Sequence, residues 1–167
     1  MSHGLTSAAD LGWTPHGVVK RATLRDIAGI ADGLRPEDRR ELEDIGGRAA
    51  LHALHLGYLA GEPCVTLWSR NGTALAVLSV IRTGCSQGAI ALSGTAAIEA
   101  FPSAFLRGSR EVLRRLHRDY ELLFNVCDAR NRTHRKWLRW LGFTEVREVA
   151  GYGAAGIPVI EFARLRD

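Results

Sequence analysis

The stretch from Glu121 to Val146 constrains the fold of this 167-residue chain more than any other part of it. The nearly continuous apolar run within 122–127 predicts a short strand that is buried on both faces. Asn131 suits the N-cap of a following helix, because its side-chain oxygen can accept a hydrogen bond from a free amide of the first turn. Gly142 predicts the left-handed residue that ends this helix. The stretch therefore predicts strand, helix and strand in succession.

Strand-like runs and helical patterns also divide the rest of the chain. Asn71-Gly72 between two strand-like runs predicts a hairpin. From Gly94 a long helical region, interrupted by Pro102, extends to about Tyr120. The other predicted helices are 24–34, 36–46, 48–60 and 132–141, and the predicted strands are 17–22, 64–70, 73–82, 89–93, 122–127, 144–149 and 158–165. This order predicts an α+β fold with one mixed, mostly antiparallel sheet and helices on both faces.

Length and composition indicate one folded domain. A chain of 167 residues with 46% hydrophobic content is long enough for one core and short for two. We expect a single domain over residues 17–167 after a loose lead-in of residues 1–16. The sequence has no run of about 20 apolar residues and no basic, then apolar N-terminus, so neither a membrane segment nor a signal peptide is predicted. Cys64, Cys85 and Cys127 form no CxxC pair, so neither a disulfide framework nor a metal site is predicted.

Basic residues are concentrated between Arg107 and Arg139, where ten Arg or Lys residues accompany four Asp or Glu residues. Arginine binds phosphate through a bidentate fork. This stretch could therefore contact the phosphates of a nucleotide, a coenzyme or a nucleic acid. The alternative is a solvated helix face with no partner.

The order of elements resembles that of the GNAT superfamily of acyl-CoA-dependent N-acyltransferases, and two local patterns strengthen the resemblance. The stretch Val19–Ile27 is similar to the family's first strand and the start of its first helix. Gly142-Phe143 follows Asn131 with the glycine eleven positions after the asparagine, as in the family's late motif. The resemblance implies a GNAT-like fold and acetyl-CoA as a possible cofactor, and no other cofactor is predicted.

Three longer stretches, Leu34–Gly47, Ser93–Arg110 and Leu123–Phe143, are similar to the GNAT-like family encoded by tailed bacteriophages and prophages. That family includes internal virion protein A of short-tailed phages. The resemblance implies a component of the virion or of its assembly, with other phage structural proteins as partners. It implies a location in the virion or in the host cytoplasm.

In GNAT enzymes a glycine-rich turn after the fourth strand binds the coenzyme pyrophosphate at a helix N-terminus. The matching place here is the stretch Ser103–Arg110, which keeps one glycine and two arginines but lacks the family's second glycine. The resemblance assigns the following residues to the coenzyme: Arg107, Gly108, Ser109, Arg110 and Asn131.

The catalytic residues of this chain are not identified by its sequence. GNAT enzymes usually carry, seven positions after the asparagine, a tyrosine that protonates the departing thiolate. That position is Leu138 here, and leucine cannot donate a proton. Candidates for a general base are Glu99, Asp128 and His134, each of which could instead be a surface or capping residue. Two functions stay open: a virion-associated protein with an eroded catalytic site, and an acetyl-CoA-dependent N-acetyltransferase acting on an amine.

Overall fold

The computed structural model describes residues 13–14 and 16–167, and for residues 13–14 it describes the backbone alone. The predicted lead-in of residues 1–16 therefore lies outside the described residues, apart from 13, 14 and 16. The described strands are β1 (Trp13–Thr14), β2 (Gly17–Arg21), β3 (Cys64–Ser69), β4 (Ala74–Arg82), β5 (Gln87–Gly94), β6 (Leu122–Asp128), β7 (Thr144–Tyr152) and β8 (Ile157–Leu165).

Five α-helices accompany these strands in the described part of the chain. They are α1 (Leu24–Gly33), α2 (Pro36–Gly46), α3 (Ala50–Ala60), α4 (Pro102–Leu116) and α5 (Arg132–Trp140), with a 3-10 turn at Ala96–Glu99 before α4. None of the described helices is long and apolar enough to cross a membrane. Of the coarse predictions, the mixed sheet with its surrounding helices is confirmed.

The strands form a single sheet in the order β1-β2-β3-β4-β5-β6-β8-β7. All described pairs are antiparallel except β5 with β6, which is parallel. Successive side chains of a strand point to opposite faces. On β4, Val77 therefore packs into a cluster with Ile27 of α1, whereas Leu78 packs into a cluster with Leu113 of α4. Helices cover both faces of the sheet, as predicted.

The parallel pair opens towards its carboxyl ends. Strands β5 and β6 pair at three positions: Gln87 with Leu122, Gly88 with Leu123 and Ala89 with Phe124. Beyond these three pairs each strand stays paired with its other neighbour, and a gap opens between them. Crevices at the carboxyl ends of parallel strands are the usual ligand-binding places of sheets with crossover helices. The gap between β5 and β6 is therefore where a functional site is expected.

The stretch from 121 to 146 folds as strand, helix and strand, as predicted, but Leu122, Phe124 and Val126 are only partly buried, so the strand is not buried on both faces. Asn131 caps α5, because its Oδ1 accepts a hydrogen bond from the His134 amide at 3.2 Å. Gly142 adopts a φ of 87°, and the Phe143 amide donates to the Leu138 carbonyl at 3.0 Å. Capping at both ends thus fixes the length of the helix from local chemistry alone.

The stretch between β5 and α4 differs from its prediction. Strand β5 begins at Gln87, two residues before the predicted start, because its pairing with Leu122 begins there. The predicted helical region is divided, since the 3-10 turn ends at Glu99 and Pro102 then opens α4 as a first-turn proline. The last hairpin is longer than predicted, with β7 reaching Tyr152 and β8 beginning at Ile157.

Candidate functional site

Side chains of α2 lie across the mouth of the gap between β5 and β6. Asp38 Oδ2 accepts a hydrogen bond from the Gly94 amide at 2.8 Å, at the end of β5. Asp38 Oδ1 accepts from Asn131 Nδ2 at 3.0 Å, just after β6. Arg35 donates to both Asp38 oxygens, at 3.2 and 2.7 Å, and its own amide donates to the Gly94 carbonyl at 3.1 Å. One buried carboxylate therefore joins the two sides of the gap.

Asn131 uses its side chain inside the protein. Its two amide N–H groups donate to Asp38 at 3.0 Å and to Glu41 Oε2 at 2.8 Å, and its oxygen caps α5. A carboxamide has two donors, so both are in use. Asn131 as a whole is 0% exposed. The side chain of Asn131 therefore has no free donor for a coenzyme, and its role in coenzyme binding stays a prediction.

His134 and Cys127 extend this network into the core. His134 Nδ1 lies 3.2 and 3.3 Å from the two carboxylate oxygens of Glu41, and Cys127 Sγ lies 3.9 Å from Glu41 Oε2. Burial disfavours a charged imidazole, but Glu41 and Cys127 outweigh it and hold the pKa of His134 well above its usual value. Burial also raises the pKa of the Cys127 thiol. His134, one candidate general base, is therefore held against a carboxylate inside the protein.

The other two candidate bases have contrasting positions. Asp128 is buried and accepts hydrogen bonds from the Arg130 guanidinium at 2.7 to 3.1 Å. Burial would raise the pKa of Asp128, but the hydrogen bonds and charge of Arg130 outweigh it and leave that pKa below its usual value. A carboxylate held in this way is a poor proton acceptor. Glu99 is exposed at the end of the 3-10 turn and lines a cavity.

That cavity, of about 380 Å³, lies between α4 and α5. Its walls are mostly apolar, with Phe105 and Trp137 in ring contact on one side. The charged and polar residues of the lining are Glu99, Thr133, Lys136 and Arg35. The other lining residues are Ile98, Pro102, Leu106 and Trp140. Such a cavity suits a predominantly apolar ligand with few polar groups.

A second cavity, of about 420 Å³, lies at the N-terminus of α4. Ser103 and Ala104 line it from the first turn of the helix, where amides have no intrahelical acceptor and the helix dipole is positive. Arg70 and His16 line it as well, and Arg107 contacts the ring of His16. Partial desolvation, followed by the charges of Arg107 and Arg70, lowers the pKa of His16. The cavity is electropositive and suits an anionic group.

The stretch Ser103–Arg110, which the resemblance assigns to the coenzyme phosphates, lies within α4 rather than in a loop. Gly108 and Ser109 face the core, and the Ser109 hydroxyl donates to the Phe105 carbonyl at 2.8 Å. A Cβ on Gly108 would lie 3.1 Å from Leu67 Cδ2, so this glycine permits close packing of the helix on the sheet. Neither residue can cradle a phosphate from that position.

The two arginines of the same stretch diverge. Arg107 lies beside the electropositive cavity, through its contact with His16. The Arg110 guanidinium stacks over the Trp140 ring, 4.1 Å from its centroid. A role of either side chain in coenzyme binding stays a prediction.

Leu138 occupies the position where GNAT enzymes usually have a tyrosine, and it has no hydroxyl that could donate a proton. Leu138 is 1% exposed and packs in the main core cluster with Leu141 and Phe143. Tyr120 is also buried, and its hydroxyl donates to the Glu62 carbonyl at 2.6 Å. The position that the resemblance assigns to a proton donor is therefore an apolar side chain in the core.

Carboxylates pair with half of the ten basic residues between Arg107 and Arg139. Glu111 pairs with two of them, Arg114 and Arg115, at 2.8 and 2.7 Å. Two acids from outside the stretch also take part: Asp44 pairs with Arg130, and Glu145 pairs with Arg135 and Arg139. The local positive charge is smaller than the sequence count indicates, and a nucleic-acid contact stays a prediction.

Sequence reasoning missed the contribution of α2. Arg35, Asp38 and Glu41 recur at intervals of three and therefore lie on one side of the helix start. All three are buried, at 3 to 6% exposure. The regular spacing of these polar residues could have indicated a shared buried contact. Acids early in a helix, however, also interact favourably with the helix dipole, and that explanation requires no tertiary partner.

The strand order and the opened parallel pair match the GNAT fold. Among solved structures, a GNAT-family acetyltransferase from Bacillus anthracis matches with a TM-score of 0.70 and 8% identity, over 93% of this chain and 98% of that chain. The ribosomal-protein-S5-alanine acetyltransferase from Vibrio fischeri matches with a TM-score of 0.69 and 16% identity, over 94% and 97%.

A third similar structure holds the coenzyme. A ribosomal L7/L12 alpha-N-protein acetyltransferase in complex with coenzyme A matches with a TM-score of 0.69 and 12% identity, over 94% of this chain and 98% of that chain. At these identities the likeness establishes the fold. No protein-family model and no curated protein matches the sequence.

Proposed function

We propose that this chain is a GNAT-fold protein that has lost acetyl transfer and serves as a component of a phage particle or of its assembly. The observation that carries the first part is the bridge from Asp38 to Gly94 and Asn131 across the mouth of the gap. A ligand entering the gap would have to displace a buried ion pair and its hydrogen bonds. Breaking such a network is costly, since each separated charge stays buried.

Leu138 supports the same proposal from the chemical side. Acetyl transfer from a thioester releases a thiolate, which an acid must protonate. Leucine at the usual tyrosine position removes the hydroxyl, and Leu138 is buried in the core. We therefore propose that the chain has lost both an accessible crevice for the coenzyme and the proton donor for the thiolate.

The virion role rests on the resemblance of three stretches to the phage-encoded family. These stretches, 34–47, 93–110 and 123–143, meet at one place in the fold. The first supplies Arg35 and Asp38, the second supplies Gly94, and the third supplies Asn131. The parts of the chain that carry the resemblance are thus those that build the network, which favours a shared structural role.

A second candidate function is acetyl-CoA-dependent acetylation of an amine, and the electropositive cavity at the start of α4 favours it. That cavity could hold the coenzyme phosphates against Arg70 and the helix amides. The adjoining apolar cavity exposes Glu99, which could accept the proton of an amine. Protonation of the thiolate would then fall to water.

Calorimetric titration of the purified chain with acetyl-CoA separates the two functions. We expect no heat of binding up to millimolar coenzyme and no coenzyme release with a panel of amines. Micromolar binding that weakens at least tenfold in Arg70→Ala and Arg107→Ala, but not in the matched Arg118→Ala just beyond the far end of α4, together with amine-dependent release of coenzyme, would establish the second function instead. Mass spectrometry of purified particles tests the virion role separately, and absence of the chain from them contradicts it.

A further inference from the structure

Three buried side chains from separate elements converge on one point behind the gap. We propose that Glu41, Cys127 and His134 form a binding site for one zinc-like divalent metal ion. Their ligand atoms, one each from α2, β6 and α5, all lie within 4.8 Å of one another. This site is independent of whether the protein transfers acetyl groups, because it lies in the core rather than in either cavity.

The nitrogen-to-oxygen distances fit a tetrahedral ion, whereas the sulfur would have to move closer to the carboxylate. Neighbouring donor atoms around zinc are about 3.3 to 3.5 Å apart when Zn–S is about 2.3 Å and Zn–N and Zn–O are about 2.0 Å. Here His134 Nδ1 lies 3.2 and 3.3 Å from the two oxygens of Glu41, and Cys127 Sγ lies 3.9 Å from Oε2. The nearly equal distances to Glu41 allow its carboxylate to supply one or both oxygens.

The ligand types point to the same class of metal. Thiolate and imidazole together select zinc and similar transition metals over magnesium and calcium, which prefer oxygen alone. Binding releases the thiol proton of Cys127 and the Nδ1 proton of His134. A divalent cation with a thiolate, a carboxylate and a neutral imidazole sums to zero charge, which is the form that a buried site tolerates best.

Neighbouring groups hold two of the three ligands in place. Asn131 donates to Glu41 Oε2 at 2.8 Å, and its oxygen accepts from the His134 amide at 3.2 Å, so one side chain orients two ligands. Asp38 in turn fixes Asn131 at 3.0 Å. Supporting contacts of this kind are a regular feature of metal sites. The network across the gap thus also serves as the outer layer of the metal site.

The test uses the full chain with Cys64→Ala and Cys85→Ser, which leaves Cys127 as its one thiol. The protein is expressed in cobalt-supplemented medium, purified with a chelator present, and analysed by plasma mass spectrometry and absorption spectroscopy. We expect about one cobalt per chain, with a thiolate-to-cobalt charge-transfer band and the visible bands of tetrahedral cobalt. Added zinc is expected to abolish both features.

Two further variants locate the ion. Adding Cys127→Ser is expected to abolish the charge-transfer band, whereas His52→Asn, at an exposed histidine of α3, is expected to leave metal content and spectrum unchanged. A single-thiol protein without cobalt, or with cobalt but no sulfur band, overturns the proposal. So does loss of the metal in His52→Asn. Because the single-thiol protein is decisive by itself, the test does not depend on the folding of Cys127→Ser.

Discussion

Asp38 accepts a hydrogen bond at 3.0 Å from the side chain of Asn131, a residue 93 positions further along the chain. The contact links the first turn of one helix to the N-cap of another, and Asp38 also binds the Gly94 amide at 2.8 Å. Both residues are buried, so neither hydrogen bond competes with bulk water. Removing either partner would leave buried polar groups unsatisfied, which makes the contact a sensitive point of the fold.

Asp38→Ala is expected to lower the free energy of unfolding by about 3 to 5 kcal/mol, because it leaves the Arg35 guanidinium buried without its partner. Urea denaturation followed by circular dichroism measures the change. Glu37→Ala, at the exposed neighbouring position of the same helix, is the matched control and should cost less than about 0.5 kcal/mol. Equal effects of the two substitutions would contradict a special role of Asp38.

Leu138→Tyr is expected to destabilise the protein by about 1 to 3 kcal/mol, since a larger ring must fit a core position that is 1% exposed. No acetyl transfer should appear, because the bridge across the gap stays in place. Leu138→Met, which nearly conserves volume, should cost less than about 1.5 kcal/mol. The measurements are urea denaturation and release of coenzyme from acetyl-CoA. Turnover in the tyrosine variant would show that the crevice still admits the coenzyme.

Arg107→Ala is expected to raise the pKa of His16 towards its usual value. In the wild type, desolvation and then the charges of Arg107 and Arg70 disfavour the imidazolium, so removing one charge makes protonation easier. Proton NMR titration of the His16 ring measures the shift. Arg110→Ala removes an equal charge from an arginine that stacks on Trp140 instead, and should have a smaller effect. An unchanged His16 titration in Arg107→Ala would refute the electropositive character of this cavity.

Glu111 is expected to titrate near pH 2, because hydrogen bonds from Arg114 first, and then from Arg115, hold the pKa of its carboxyl at about 2. A carboxyl with a depressed pKa stabilises the fold above its ordinary pKa of about 4.5 and loses that contribution as the pH falls through its folded value. The stability difference between the wild type and Glu111→Gln should therefore be constant above about pH 4.5 and shrink below it. Carboxyl-detected NMR gives the pKa directly, and a midpoint near the ordinary value contradicts the prediction.

Local chemistry explains why much of the fold could be predicted from the sequence. Asn131 and Gly142 define the ends of α5 through hydrogen bonds to neighbours within a few residues, and Asn71-Gly72 joins β3 to β4. The helical structure of Ser103–Arg110 was not predicted as such, because the family pattern was matched by residue type, whereas Pro102 determines where the helix starts.

The candidate site was largely invisible to the sequence because its contacts are distant in the chain. Asp38 and Gly94 are 56 positions apart, and Glu41 and His134 are 93 apart. A buried carboxylate and a surface carboxylate on a helix have the same sequence signature, and only tertiary packing separates them. The ion pair between Arg130, in the turn before α5, and Asp44 of α2 is likewise a contact between residues distant in the chain.

The three residue pairs between β5 and β6 divide the sheet into two half-sheets, one before and one after α4. With so short a seam, the half-sheets could rotate against each other, opening or closing the angle between their carboxyl ends. The side chains of Arg35 and Asp38 bridge that angle at its widest point. Together with the hydrogen bond from Asn125 Nδ2 of β6 to the Ile90 carbonyl of β5 at 2.7 Å, this bridge holds the two halves in their relative orientation, and its loss is expected to change the shape of the molecule as well as its stability.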